Sequence, residues 1–216
     1  MTLPPLIIDF LVTLLFLVMW VSYFHYSRVM AKKSDSLSNA MRTHRVSAVN
    51  HVMQLDVKVA GAVILFNVDK NVSFFASTTL LILASLTGIL ANAADVVLVI
   101  EGIPYAFPIS ISQVYLRILM LISIYIYAYF TFTWALRQSN FVSVMIGAGA
   151  SNGTNSDKVY AYHTAKLMDM AAHSANQGLR AYYFSLAALT WFYHPLAFIV
   201  SSLFIIFILY QREFNS

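Results

Sequence analysis

The chain has 216 residues, of which 60% are hydrophobic and 10% are charged, and its formal net charge is +4. Soluble domains carry about 25% charged residues, and a soluble protein this apolar would expose large hydrophobic patches and aggregate. The composition therefore excludes an ordinary soluble domain and indicates an integral membrane protein. The absence of cysteine excludes disulfides and thiolate metal sites.

Four segments are long and apolar enough to cross a bilayer as helices, which takes about 20 residues. We place them at about 6–25, 72–94, 109–136 and 182–210. Tyr and Trp residues near the ends of these segments suit the membrane–water interface. The N-terminus has no basic region and no small-residue cleavage site, so the first segment is expected to be a retained anchor.

The positions of the basic residues predict an orientation. Eleven of the 13 Lys and Arg residues fall in the connections between segments one and two and between segments three and four. The short connection 95–108 holds Asp95 and Glu101 and no basic residue. By the positive-inside rule, both long basic loops are expected in the cytoplasm and both termini outside.

Two cytoplasmic stretches, about 39–66 and 157–181, have helical periodicity and predict amphipathic helices. The first either lies against the membrane or the other helix, or continues into the second span as one rod, because only residues 67–71 interrupt the apolar run. Residues 147–157 are rich in Gly, Ser and Asn and predict a flexible loop. The fold class is all-α: a single polytopic membrane domain, 1–216, with four transmembrane and two cytoplasmic helices.

The second amphipathic stretch carries a polar face. At 100° per residue, six polar side chains fall within an arc of roughly 100°: Lys166, Asp169, His173, Asn176, Gln177 and Arg180. The other side carries the small residues Ala171, Ala175 and Gly178, which would let another helix approach closely. The same register leads into the fourth apolar segment and puts His194 on the arc.

Three interpretations of this polar face remain open. It could be a solvated surface that needs no function. It could be a seam that binds helix 39–66 or a neighbouring subunit. It could line a pore near the cytoplasmic mouth of a symmetric oligomer, where its side chains would form rings.

Two ionisable residues fall inside predicted spans, where charges are costly and usually paired. Asp9 lies in the outer part of the first span and Arg117 in the outer part of the third. Both are expected near the external face, so we predict that they form an intramembrane ion pair. A charged outer vestibule is the alternative.

The sequence offers little for a metal or a cofactor. His44 and His51 would lie about 10 Å apart along a helix, too far for one zinc ion. HExxH, a carboxylate cluster, a nucleophilic triad and a phosphate-binding loop are all missing from the sequence. We expect no metal, no cofactor and no catalytic residues, and an enzyme is the less favoured class. His194 before Pro195 predicts a kink.

Arg42 and Arg45 are candidates for contact with anionic lipid head groups. Their simpler role would be to retain the first long loop in the cytoplasm.

Four stretches carry a resemblance to a known family. They are FFASTTLLIL (Phe74–Leu83), NQGLRAYYFSLAALTWFYHPL (Asn176–Leu196), Arg42-Thr43-His44-Arg45 and the end of the first span, Tyr23 to Arg28. In these the chain resembles a bacterial family catalogued as domain of unknown function five hundred and ninety-nine. The resemblance implies a small multi-pass protein of the bacterial inner (plasma) membrane without an assigned activity, so it transfers no catalytic residues.

We carry two functional hypotheses forward. The first is an oligomeric channel or transport-like protein that uses the polar face and His194 along a path. The second is a non-catalytic accessory subunit of a larger membrane complex. A metal- or haem-dependent membrane enzyme ranks lower. The expected partners are the lipid bilayer and either further copies of the chain or a larger membrane complex, and no nucleic acid.

Overall fold

The computed structural model of the chain describes residues 5–30, 44, 47, 59–148 and 155–214. Over these residues the fold is helical, without a strand. The helices in the described ranges are α1 (Pro5–Met30), α2 (Val59–Ala91), α3 (Ala93–Glu101), α4 (Ile111–Ala148), α5 (Asn155–Thr190) and α6 (Pro195–Phe214). An all-α fold suits a bilayer, since a helix satisfies its backbone hydrogen bonds internally.

Three of these helices are long and apolar enough to cross a membrane. The qualifying segments are Asp69–Ala91 of α2, Ile111–Ala148 (the whole of α4) and Pro195–Arg212 of α6, and α1 adds a shorter apolar stretch, Asp9–Tyr23. Large apolar side chains such as Phe10 (63% exposed) and Leu81 (70% exposed) lie on helix surfaces. In water this exposure would favour aggregation, whereas in a bilayer such faces contact lipid.

Helix α2 differs in its limits from the predicted second span. It starts at Val59 and passes through residues 67–71 without a break, so residues 59–66 belong to the same helix as the span. The rest of the predicted helix 39–66, apart from residues 44 and 47, lies outside the described residues. The helix ends at Ala91, and the side-chain amide of Asn92 donates a hydrogen bond to the carbonyl of Gly88 (2.9 Å).

Helices α4 and α5 are both longer than expected. The 38 residues of α4 extend the predicted third span from 136 to Ala148. The 36 residues of α5 join the predicted cytoplasmic helix 157–181 to the first part of the predicted fourth span. Residues 149–154 of the predicted loop lie outside the described residues.

The chain divides into two compact units. The first unit holds Met1–Leu37, Leu81–Ile126 and Arg180–Ser216. The second unit holds Ser38–Leu80 and Tyr127–Leu179. Helices α2, α4 and α5 contribute residues to both.

In the second unit, α4 and α5 pack side by side in opposite directions. Tyr127 on α4 hydrogen bonds to Gln177 on α5, Gln138 to Ser174, and the Met145 carbonyl accepts from the Tyr160 hydroxyl. Residues further along α4 therefore contact residues nearer the beginning of α5, so the two helices are antiparallel. Phe75 of α2 stacks on Phe132 of α4, with ring centroids 5.7 Å apart.

In the first unit, α1 packs against the end of α5 and the beginning of α6. The ring of Phe16 lies 5.8 Å from that of Phe184 and 5.0 Å from that of Phe198. Further along α1, Tyr23 lies 6.1 Å from Phe184 and under the guanidinium of Arg180. Helix α1 is therefore antiparallel to α5.

The chain reverses direction between α5 and α6. Nη1 of Arg212 lies 3.4 Å from the Tyr183 hydroxyl, although the two residues are 29 positions apart. In one continuous helix that separation would be about 43 Å. The sequence leads us to expect a kink at His194–Pro195 within a single span over 182–210, but the structure has a helix end at Thr190, a turn, and a new helix that returns. Pro195 suits this start, because the first position of a helix needs no N–H donor.

Candidate functional site

Asp9 of α1 and Arg117 of α4 form a buried ion pair in the first unit. Nη2 of Arg117 lies 3.1 Å from both carboxylate oxygens of Asp9, and both side chains are at most 2% exposed. The structure thus brings together the two charges that the sequence places at the same end of their spans. A buried charge is tolerated when it is paired and hydrogen bonded.

Arg117 also holds the end of α5. Its Nη1 donates a hydrogen bond to the Trp191 carbonyl (2.6 Å), and its guanidinium carbon lies 5.0 Å from the centre of the Trp191 ring. The last carbonyls of a helix lack partners within the helix and carry partial negative charge. A cation placed against them stabilises this end, so Arg117 connects α1, α4 and the end of α5.

Three polar atoms on Arg117 and its neighbours have no hydrogen-bond partner within the described part of the chain. They are Gln113 Nε2, Arg117 Nε and Trp191 Nε1, all on residues that are at most 2% exposed. All three are N–H donors, and buried polar groups of this kind are usually satisfied by protein or by ordered water.

Three contacts, two of them from Phe107, hold the turn Trp191–His194 between α5 and α6. The Phe107 N–H donates to the Tyr193 carbonyl (2.9 Å). Nδ1 of His194 accepts from the Leu196 N–H (3.1 Å), and the Phe107 ring meets the His194 ring edge-on at 5.6 Å. His194 thus supports the start of α6, and it lies in the turn rather than on the helix that carries the polar face.

The polar face of α5, residues 166–180, is partly covered. Lys166 and Asn176 are exposed, whereas Asp169, His173, Gln177 and Arg180 are half-buried. On the opposite side, Ala171 and Gly178 are buried. A side chain added at Gly178 would meet the Phe132 ring of α4 at 2.5 Å, so the small residues allow the close approach that the sequence predicts.

Two members of the polar face bond to each other and to α4. The Gln177 amide donates to Nε2 of His173 (2.6 Å), and the Tyr127 hydroxyl donates to Oε1 of Gln177 (3.4 Å). Arg180, in the first unit, lies over the Tyr23 ring at 5.7 Å. The face is therefore not a uniformly solvated surface.

Of the remaining predicted positions, Arg42 and Arg45 lie outside the described residues, and His44 is exposed. Across the ranges that the structure describes, no three His, Asp or Glu side chains lie close enough to hold a metal ion.

Sequence reasoning missed the contact of Trp191 with Arg117, and it missed Gln113. Trp191 reads as one more apolar residue of a span, yet its carbonyl and ring contact Arg117. Gln113 lies four positions before Arg117 and therefore on the same helix face. A polar residue one turn from a charge inside a span is the pattern that could have found it.

Comparison with known proteins identifies the class of the chain but no activity. Residues 11–216 match the model of the family described as "Protein of unknown function, DUF599". The chain belongs to this family, as the resemblance seen in its sequence predicts. It has no match among curated proteins and none among solved structures.

Proposed function

We propose that this protein is an oligomeric channel or transport-like protein of the membrane, in which the polar face of α5 lines a water-filled path between copies. The observation that supports the proposal is the depth of this face in the second unit. Gln177 contacts Tyr127, ten positions before Arg137, the next charged residue of α4. Ten helical residues rise about 15 Å, so Gln177 lies well inside the apolar segment of α4.

Polar side chains at such a depth need a polar partner or water. The hydrogen bond between His173 and Gln177 satisfies part of this need, whereas Asn176 remains exposed. Gly178 and Ala171 face the other way and are buried. In a closed ring of copies, the exposed part of the face would meet its equivalents around a path.

The same face would serve a non-catalytic accessory subunit as a seam against a different membrane protein. The two functions differ in what covers Asn176: water and further copies in a channel, or another chain in a complex. Ion flux through the purified protein separates them, because an accessory subunit alone conducts nothing.

The test is flux of potassium and of chloride, measured separately, in liposomes that hold the purified protein. Flux into liposomes that hold the wild-type protein is expected to exceed flux into empty liposomes. Arg180→Ala is expected to change the flux of at least one ion by about fivefold or more, because a unit charge 4 Å from an ion contributes about 1 kcal/mol even in water. Gln177→Leu is expected to reduce both fluxes, because it replaces a polar group that lies deep in the path by an apolar one.

Arg137→Ala is the matched control. Arg137 is an exposed arginine of α4 that lies over the Trp134 and Phe141 rings, much as Arg180 lies over Tyr23. Its loss should leave flux unchanged. Flux no greater than that of empty liposomes, or equal effects of the two arginine variants, would rule out the channel proposal. Cross-linking of single copies to other membrane proteins would then favour the accessory role.

A further inference from the structure

A lateral groove lies in the first unit, where α2 and α5 end and α4 begins. Its volume is about 620 Å³, within the range of small-molecule sites, which hold about 300–1,000 Å³. The walls are mainly apolar and include Leu86, Ile118, Leu121 and Leu189. The groove is separate from the Asp9–Arg117 pair, neither member of which lines it.

We propose that this groove binds a lipophilic cation, that is, an organic cation whose charge is carried on an apolar body. Among the described residues that line the groove, Asp95 is the only charged one. Asp95 is exposed and forms no ion pair with any described residue. A carboxylate beside apolar walls attracts a cation more strongly than it would in bulk water, because the local dielectric constant is lower.

Two further features fit an organic cation better than an inorganic one. Phe192 is one of the residues that line the groove, and aromatic residues attract organic cations. The apolar walls would gain nothing from a small hydrated ion, but they would bury the apolar body of an organic one. An anionic lipid head group would be repelled by Asp95.

Gly88 makes the groove testable without disturbing the fold. It lines the groove, and a Cβ atom added there would meet no heavy atom within 4 Å. Gly88→Leu therefore places new side-chain atoms in open space beside the groove. Gly147, in the second unit, has equally free surroundings and does not line the groove, so Gly147→Leu is its matched control.

The experiment measures equilibrium binding to the full chain in nanodiscs of phosphatidylcholine. The probes are tetraphenylphosphonium and tetraphenylborate, which have nearly the same size and shape and opposite charge. Wild type is expected to bind the phosphonium saturably, at one site per chain, and to bind the borate at least tenfold more weakly.

Asp95→Asn is expected to weaken phosphonium binding by about tenfold, because it removes one attraction between opposite charges near the protein surface. Glu101 is an exposed carboxylate of the same helix, and it does not line the groove. Glu101→Gln should therefore leave phosphonium binding unchanged. Gly88→Leu should abolish saturable binding, and Gly147→Leu should leave it intact. An unchanged unfolding midpoint shows that each variant is folded.

Three results would overturn the inference. They are no saturable phosphonium binding, as expected if a membrane lipid or a second copy fills the groove; equal binding of the two probes; and equal affinity in wild type, Asp95→Asn and Gly88→Leu. The inference does not rest on the channel proposal. A protein that binds the cation but conducts no ions keeps this site and loses that function.

Discussion

At the scale of single residues, Arg117 is a buried charge that is held by several partners. It contacts the Asp9 carboxylate and the Trp191 carbonyl, and it is 1% exposed. Removing one partner of a buried ion pair leaves the other charge uncompensated, which costs about 3–5 kcal/mol. Replacing both partners by apolar residues of similar size is often close to neutral. The pair should therefore behave as a unit.

We expect Asp9→Leu and Arg117→Met each to lower the free energy of unfolding by about 3–5 kcal/mol. The double variant should lose less free energy of unfolding than the sum of the two single losses. Some loss remains, because the Trp191 carbonyl then lacks its donor, at a cost of about 1–3 kcal/mol. Unfolding in mixed detergent micelles measures these changes.

Glu101→Leu and Arg137→Met form the control pair. Both residues are exposed, and they lie on different helices. Their effects should therefore add to within about 0.5 kcal/mol. Additive effects for Asp9 and Arg117 as well would show that their contact does not stabilise the protein.

Gly178 is the second residue with a sharp expectation. Alanine is normally better than glycine in a helix by about 1 kcal/mol. Here the new Cβ would lie 2.5 Å from the Phe132 ring, which is fully buried and stacked on Phe75. The ring has little room to move, so Gly178→Ala should destabilise the protein by about 1–3 kcal/mol.

Gly147→Ala is the control for Gly178→Ala. Nothing lies within 4 Å of a Cβ atom at Gly147, so this variant measures only the difference in helix propensity between glycine and alanine. Gly147→Ala should leave stability unchanged or raise it by up to about 1 kcal/mol. Adding Phe132→Leu to Gly178→Ala should recover part of the loss. If Gly178→Ala is as stable as Gly147→Ala, the close approach of α4 and α5 does not exist.

At the scale of helices, the apolar segments themselves could be predicted, because about 20 apolar residues in a row leave few alternatives to a membrane helix. Hydropathy could not show that the fourth apolar segment is divided between two helices. Residues 182–190 and 195–210 are both apolar, so they read as one span with a kink at Pro195. The reversal depends on long-range contacts, Arg212 with Tyr183 and Phe198 with Phe16, and a local pattern does not contain these.

Among the candidate sites, too, some could be predicted from local sequence and one could not. Asp9 and Arg117 could be paired from sequence, because two charges at the same end of antiparallel spans have few other ways to be satisfied. The small residues opposite the polar face followed from helical periodicity. The groove around Gly88 and Asp95 could not be found, because its walls come from four helices and a turn. Local sequence does not reveal which apolar faces surround an open space.

At the scale of the whole molecule, the reversal at Trp191–His194 bears on how the chain is oriented in the membrane. The expectation that both termini lie outside assumes that 182–210 crosses the membrane once. In the first unit, however, α5 ends beside Asp9 and Arg117, near the beginnings of α1 and α4, and α6 returns from there. The 20 residues of α6 extend about 30 Å, enough for a separate crossing. We therefore propose that the two termini lie on opposite sides.

The basic residues favour this orientation. If α6 returns to the cytoplasmic side, Arg212 joins the Lys and Arg residues of the two long connections. Every Lys and Arg of the chain except the buried Arg117 would then lie on the cytoplasmic side or at its edge. The positive-inside rule is thus satisfied more completely than with both termini outside.

Single cysteines test this orientation against a clean background, since the chain has no cysteine of its own. Tyr105 lies before α4 and is 92% exposed, and Gln211 lies in the last turn of α6 and is also exposed. In right-side-out vesicles, a membrane-impermeant maleimide should label Tyr105→Cys directly and Gln211→Cys only after permeabilisation. Labelling of both cysteines in intact vesicles would restore a single crossing over 182–210 and contradict the antiparallel arrangement of α5 and α6.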